Sequence, residues 1–362
     1  MIALRLRIDP LPIVEPLIVR LRDDKNCAPQ LEEAVLVSRY EDYREYDFEG
    51  FGLTVHVPSS VSLDGDVLMI MPGQKSAHRL IRADSKHNTF LVTEQCDQLC
   101  VMCSQPPKKH HTDLFAQFEE AAELAPAGAY IGISGGEPLL HKQRLFAFLL
   151  NIKATRPDLR FHVLTNAQHF EPSDMDTLDK IGRDRVLWGI PLYSSRHEIH
   201  DEIVGKSNAF ETLETNLALL MRAGASVELR TVVMRQNADL LPELADYIAT
   251  KAPFINVWAI MQLENIGYGR MNWTKIFQDT SVAFQSVKTA INLATAHGLE
   301  VTLYNFPLCS VPPDYRQFTS STISDWKQKY LGFCDGCSSR LTCGGFFEWY
   351  NHAEGFHRVG AI

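Results

Sequence analysis

From about residue 88 onward, short apolar runs alternate with longer stretches whose apolar residues recur at helical spacing. The runs at 89–93, 129–134, 160–164, 186–192, 226–234, 255–261 and 299–304 predict strands. Between them, 113–124, 139–155, 175–181, 210–223, 240–250 and 281–297 predict helices, with Gly224 placed as a helix stop and Gly298 ahead of the next strand. Alternation with short connections predicts an α/β fold, a parallel sheet with crossover helices. The pattern admits an open wound sheet or a (β/α) barrel, complete or partial. In either, functional groups collect at the carboxyl ends of the strands.

Residues 1–85 have another rhythm. Segments 17–21, 51–57 and 67–71 have β-type composition and are separated by Pro, Gly, Asp and Ser. This is a small β-rich region without a chemical motif, either a β domain or a docking module. Three regions result: 1–85, a core at 86–305, and a cysteine-bearing extension at 306–362.

Composition narrows the function. The 362 residues are 45% hydrophobic and 22% charged, as in an ordinary globular protein. A net charge of −9 argues against broad nucleic-acid binding, which needs clustered Lys and Arg. The one basic patch, Lys108, Lys109, His110 and His111, reads as a solvated turn. No apolar run reaches the roughly 18 residues of a membrane helix. The stretch MIALRLRIDPLPIVEPLIV, broken by Arg, Asp, Glu and Pro, reads as neither signal peptide nor anchor. A cytoplasmic location is therefore expected, where eight cysteines point to metal or catalysis rather than disulfides.

Seven of those cysteines fall into two groups, and Cys27 stands alone as an expected buried thiol. Cys96, Cys100 and Cys103 have the spacing Cys-x3-Cys-x2-Cys. On a helix they would share a face. Their neighbours Asp97, Gln98, Ser104, Gln105, Pro106 and Pro107 describe a loop instead. A structural zinc site would require a fourth ligand, for which His110 and His111 are available. Iron–sulfur clusters are also held by thiolates. If three hold a four-iron cluster, one iron is left open to a substrate or cofactor.

Further motifs close successive predicted strands. Ser134-Gly135-Gly136-Glu137-Pro138 follows the second, Thr165-Asn166-Ala167 the third, and Tyr193-Ser194-Ser195 the fourth, with His200, Asp201 and Gly205 beyond. Arg230 lies on the fifth, and Gly267-Tyr268-Gly269-Arg270 follows the sixth.

In this order the motifs resemble those of the radical S-adenosylmethionine (radical SAM) superfamily, over residues 88 to about 305. The resemblance implies a partial (β/α)6-type barrel. It implies a [4Fe-4S] cluster on Cys96, Cys100 and Cys103, whose open iron chelates SAM, and reductive cleavage of SAM to a 5′-deoxyadenosyl radical. Ser134, Gly135, Gly136 and Glu137 resemble the motif that receives the SAM amino group. Asn166 resembles a ribose contact, with Ala167 where the family usually has Gly. Ser194 resembles the fourth-strand contact, and Arg230 is placed to pair with the SAM carboxylate. Met102 stands where the family often has an aromatic residue beside adenine.

Cys309, Cys334, Cys337 and Cys343 form Cys-x24-Cys-x2-Cys-x5-Cys, four thiolates and hence a closed site. This resembles a shortened SPASM or twitch extension with one auxiliary [4Fe-4S] cluster. A zinc knuckle would have the same spacing. Phe347 stands near where a full SPASM module has another cysteine.

The runs 88–96, 104–108, 131–138 and 323–327, with Cys334-Asp335-Gly336-Cys337 and Cys343-Gly344-Gly345-Phe346-Phe347, resemble the HxsC-type maturases of the His-Xaa-Ser system. That implies a precursor peptide substrate with His-Xaa-Ser repeats, a sister radical SAM maturase, and an electron donor such as flavodoxin or ferredoxin. Two other readings are kept: a radical SAM enzyme on a small molecule or cofactor precursor, and a non-catalytic iron–sulfur or zinc scaffold. No nucleic-acid or membrane partner is expected.

Overall fold

The N-terminal strands alternate buried apolar residues with outward polar ones, the pattern of a sheet with one dry face. The computed structural model describes residues 4–24 and 32–362, so Cys27 lies outside the described residues. Two compact units divide the chain. One comprises Met1–Val92, Thr112–Ile133 and Gln143–Phe161, the other Thr93–His111, Ser134–Lys142 and His162–Ile362.

In the first unit, β1 (Arg5–Ile8), β2 (Leu17–Arg22), β3 (Glu33–Arg39), β4 (Tyr43–Phe48), β5 (Phe51–His56), β6 (Val67–Ile70) and β7 (Ser76–Ile81) close into a barrel of order β1-β5-β4-β3-β2-β6-β7. Closure removes the free sheet edges that would otherwise invite association. Leu6, Ile8, Val19, Leu21, Leu53, Val55 and Leu68 fill it. The buried pair Arg79–Asp66 accompanies this core, and burial pushes the Asp66 carboxyl up to about 6. Only β2, β5 and β6 stand out in the sequence. The other four carry charged residues, some outward and some buried like Glu33, Arg44 and Arg79, and these dilute the apolar signal.

From residue 88 the chain forms β8 (Asn88–Thr93), β9 (Tyr130–Gly135), β10 (Arg160–Leu164), β11 (Val186–Pro191), β12 (Ser226–Val232), β13 (Val257–Met261), β14 (Val301–Tyr304) and β15 (Thr319–Ser320). These lie in one sheet in strict chain order, and β11 through β15 pair in parallel. The alternating α/β pattern is thus present as an eight-stranded sheet; β15 is two residues long and has no sequence signature.

Helices span Phe115–Glu123, Lys142–Thr155, Met175–Ile181, Ala209–Arg222, Leu241–Lys251 and Gln285–Ala296. Three further short helices, His197–Val204, Gly267–Met271 and Trp273–Ile276, are too polar or too short to show in the pattern, and two of them hold the site described below. A small hairpin of β16 (Gln328–Lys329) and β17 (Phe346–Phe347) belongs to the cysteine-rich extension. Among the described residues, no helix is long and apolar enough to cross a membrane.

Candidate functional site

β8 ends at Thr93, and the loop beyond it carries Cys96, Cys100 and Cys103, all partly buried. Two short helices fix this loop. The Leu99 and Val101 N–H groups donate to the Val204 and Ile203 carbonyls at 3.0 and 2.9 Å, at the end of helix His197–Val204. The Tyr268 N–H donates to the Cys103 carbonyl at 2.8 Å, and Asn272 Nδ2 to the Val101 carbonyl at 2.8 Å. Gly267 has φ +57°, and a Cβ there would lie 2.4 Å from the Cys103 oxygen. Only glycine allows the helix to begin so close to the thiol loop.

The thiols act on one another. Burial pushes Cys96 up to about 11 and Cys100 up to about 12; charge on Cys103 adds to both, and charge on Cys96 adds to Cys100. Burial also raises Cys103. Burial is the largest cause for all three, and a bound cation reverses that balance by replacing their protons.

Residues 134–137 run alongside the same loop. The Gly136 N–H donates to the Thr93 carbonyl at 2.9 Å and the Glu137 N–H to the Gln95 carbonyl at 2.7 Å. A Cβ on Gly135 would lie 2.2 Å from the Thr93 oxygen, and one on Gly136 2.1 Å from the Gln95 oxygen and 3.0 Å from the Cys96 Cβ. The close approach expected of these glycines is thus an approach to the chain's own thiol loop. Ser134 precedes them on β9, partly buried.

Glu137 departs from its expected role. Its carboxylate is fully buried and accepts from the Leu139 N–H (2.7 Å), the Thr165 hydroxyl (2.6 Å) and the Asn166 N–H (2.6 Å). Burial still pushes it up to about 7. A side chain so occupied braces the ends of β9 and β10 rather than presenting itself to an ammonium group. Asn166, also buried, uses its Nδ2 to reach Asp97 Oδ1 at 2.8 Å.

Asp97, next to the first thiol, is a centre that the sequence did not announce. Lys206 pairs with it and His169 Nε2 lies 3.2 Å away. Burial alone would raise its carboxyl; His169, Lys206 and Asn166 outweigh that and hold it well below the usual carboxylate range. Its signal was a carboxylate inside a thiol motif, with partners 69 and 109 residues away.

Residues 90–248 match the Radical SAM superfamily. Those residues carry a radical SAM domain. The antilisterial bacteriocin subtilosin biosynthesis protein AlbA of Bacillus subtilis (strain 168) is 24% identical over 166 residues, which is 45% of this chain and 36% of AlbA. In fold, the chain is similar to Streptococcus suis SuiB bound to S-adenosylmethionine, with a TM-score of 0.50 at 15% identity, over 61% of this chain and 51% of SuiB. The chain therefore spans about a third of one relative's length and half of the other's.

On the radical SAM domain the remaining expected contacts differ in kind. Met102 is buried in an apolar cluster with Tyr193, Leu263, Trp273 and Phe347. Ser194 is fully buried, and its hydroxyl accepts the Arg196 N–H at 3.1 Å. Ala167 is buried with φ +57°, a left-handed conformation, at the position where the family usually has glycine. Arg230 is engaged by a protein carboxylate: it pairs with Glu228, which also accepts from Tyr304 Oη at 3.0 Å and lies 3.3 Å from His162 Nε2. Burial raises Glu228, but His162 and Arg230 bring it down to about 2. Arg230, expected to pair with the SAM carboxylate, thus already serves a buried carboxylate of its own chain, which demands a cation. His162 and Glu228, polar residues inside apolar strands, were the overlooked signal.

The second cysteine group comes together as a site. Cys309, Cys334, Cys337 and Cys343 line one cavity, with Leu308, Tyr330 and Phe346 around them. Amides point at the sulfurs: Leu308 and Gly345 donate to Cys343 Sγ at 3.4 and 3.3 Å, and Ile362 to Cys337 Sγ at 3.5 Å. Those from Ile362 and Ser339 hold the Cys337 thiol below its ordinary value. Among the described residues no group of three or more Cys, His, Asp or Glu is arranged to hold a metal ion. Four thiols around one cavity, with N–H···S bonds to Cys337 and Cys343, are a donor set that suits a thiolate-bound metal group.

Proposed function

We propose that this chain is a radical SAM enzyme that modifies a peptide or protein. The observation that carries the proposal is the thiol loop at 96–103, pinned beside residues 134–137 at the carboxyl ends of β8 and β9 within a radical SAM domain. In this reading Cys96, Cys100 and Cys103 hold a [4Fe-4S] cluster. Ser134, Gly135, Gly136, Asn166, Ser194 and Met102 line the SAM site, with Glu137 supporting it from behind. When bound, cluster and SAM together supply one-electron cleavage of a sulfonium and hydrogen-abstracting radical chemistry.

The chain's own residues prepare that chemistry. Asp97, kept ionised by its cationic partners, fixes the Cys96 end of the loop against β10 and the segment at Lys206. The cluster of Met102, Tyr193, Leu263, Trp273 and Phe347 keeps the neighbourhood of the thiols apolar and short of water. Cys309, Cys334, Cys337 and Cys343 hold an auxiliary [4Fe-4S] cluster in a SPASM- or twitch-like extension. With four protein ligands it supports the fold or passes electrons, and the three-thiol site reacts.

Peptide modification is supported by the likeness to AlbA, described as a bacteriocin biosynthesis protein. The finer proposal is maturation of a His-Xaa-Ser repeat peptide, resting on the motifs at 88–96, 323–327 and the C-terminal cysteines. It includes a sister maturase, a flavodoxin- or ferredoxin-type donor and a cytoplasmic setting. Co-expression with such a peptide tests it by mass spectrometry. A mass change with the wild type that vanishes with Cys100→Ala is expected. An unchanged peptide, with SAM turnover on a small molecule instead, contradicts it.

A further inference from the structure

Part of the wall of the four-thiol cavity comes from a segment whose anchoring residues do not themselves line the cavity. The segment first meets helix Trp273–Ile276, where Trp273 Nε1 donates to the Glu354 carbonyl at 2.9 Å. Asp279 then takes hold of it. Its Oδ2 accepts the His357 N–H at 2.9 Å and lies 2.7 Å from His357 Nδ1. Its Oδ1 accepts the Ser281 N–H at 2.9 Å and the Ser281 hydroxyl at 2.5 Å. Ser281 Oγ in turn accepts the Arg358 N–H at 3.0 Å. The His357 side chain is 81% exposed, while its neighbour Phe356 is buried against Phe277 and Tyr350, so the attachment combines these hydrogen bonds with apolar packing.

Just beyond the anchor the backbone reaches a sulfur. The Ile362 N–H donates to Cys337 Sγ at 3.5 Å. The Ser338 N–H and hydroxyl both donate to the Ile362 carbonyl, at 2.9 and 2.6 Å, and Gly360 and Ile362 form part of the cavity wall.

We infer that Asp279 is a positioning residue for the four-thiol site. It helps fix residues 356–362 as a strap that lines the cavity and delivers the Ile362 N–H to Cys337. This rests on the reading of those thiols as cluster ligands. Hydrogen bonds to ligand sulfurs spread their negative charge, which slows loss of the metal and raises the reduction potential. Asp279 therefore sets both properties without touching a thiol.

The test uses the full chain with Cys96, Cys100 and Cys103 replaced by Ala, so that only the four-thiol site remains. After anaerobic reconstitution, iron content, iron release to a chelator and the midpoint potential are measured. Asp279→Ala is expected to release iron about 10-fold faster and to lower the potential. Asp279→Asn, which keeps an acceptor for His357, is expected to fall between. Ser281→Ala, a milder change at a half-buried turn, shifts both readouts in the same direction if Asp279→Ala does not fold. Release rates and potentials equal to those of the unsubstituted background overturn the inference. If that background holds no iron, or zinc in its place, the cluster reading of the four thiols fails and the inference fails with it.

Discussion

A Cβ on Gly136 would lie 2.1 Å from the carbonyl oxygen of Gln95, so these two backbones meet at a distance that only glycine permits. The contact sets the β9 turn against the residue preceding Cys96. Gly136→Ala must push the thiol loop away, at a cost of about 1–3 kcal/mol from overpacking. Iron bound at the three-thiol site is expected to fall, and the melting temperature with it. Gly52→Ala, where a Cβ meets nothing within 4 Å, serves as the control and is expected to change neither.

Asp97 ties the loop from its other side. Asp97→Ala frees Asn166, Lys206 and His169 at once. A partner that orients a ligand residue typically contributes 10- to 100-fold in affinity, so SAM binding to the reconstituted protein is expected to weaken by roughly that factor. Lys206→Met, which leaves Asn166 and His169 in place, is expected to cost less. Equal SAM affinity in Asp97→Ala and wild type, measured by equilibrium binding, removes Asp97 from the site.

Ala167 is held at φ +57°, which costs an L-residue about 1–2 kcal/mol. Ala167→Gly removes that strain while adding about 0.4–1 kcal/mol of unfolded-state entropy. Strain outweighs entropy, so a net gain of about 0.5–1 kcal/mol is expected in urea unfolding. A lower midpoint would show that the position is not strained.

His200 makes stability depend on pH. It is buried at 1% exposure, its Nδ1 accepts the Tyr193 N–H at 3.3 Å, and burial lowers its pKa to about 4 from 6.5. With the folded value depressed, the unfolded chain binds the extra proton. The stabilising contribution is complete above about 6.5 and is lost as the pH falls towards 4. Between pH 7.5 and 5 this amounts to about 2 kcal/mol. His200→Asn keeps an acceptor for Tyr193 and does not titrate, so its urea-unfolding stability is expected to fall less over that interval. Parallel losses in both proteins assign the effect to other groups.

What the sequence disclosed follows from the range over which each interaction acts. The strands β8 to β14 and most helices were readable because their apolar periodicity is local. The short helices His197–Val204 and Gly267–Met271 were not, since they are stabilised by the thiol loop they grip. The same holds within the site. Cys96, Cys100 and Cys103 announce themselves by spacing alone. Asp97 does not, because its partners come from distant segments and only the fold joins them. Glu137 was visible as a residue but not in its role: its three donors lie at 139, 165 and 166, and together they turn a ligand-facing carboxylate into an inward brace. Arg230 likewise showed its charge in the sequence, while Glu228, which engages it, was hidden among apolar neighbours.

The central claim is that three thiols beside residues 134–137 make a site that cleaves SAM. Its most direct test is the 5′-deoxyadenosine formed by the anaerobically reconstituted protein given SAM and dithionite. Wild type is expected to produce it, and Cys100→Ala, which removes one of the three thiols, is expected to produce none. Absence of 5′-deoxyadenosine from an iron-loaded wild type, or equal amounts from both proteins, would contradict the account.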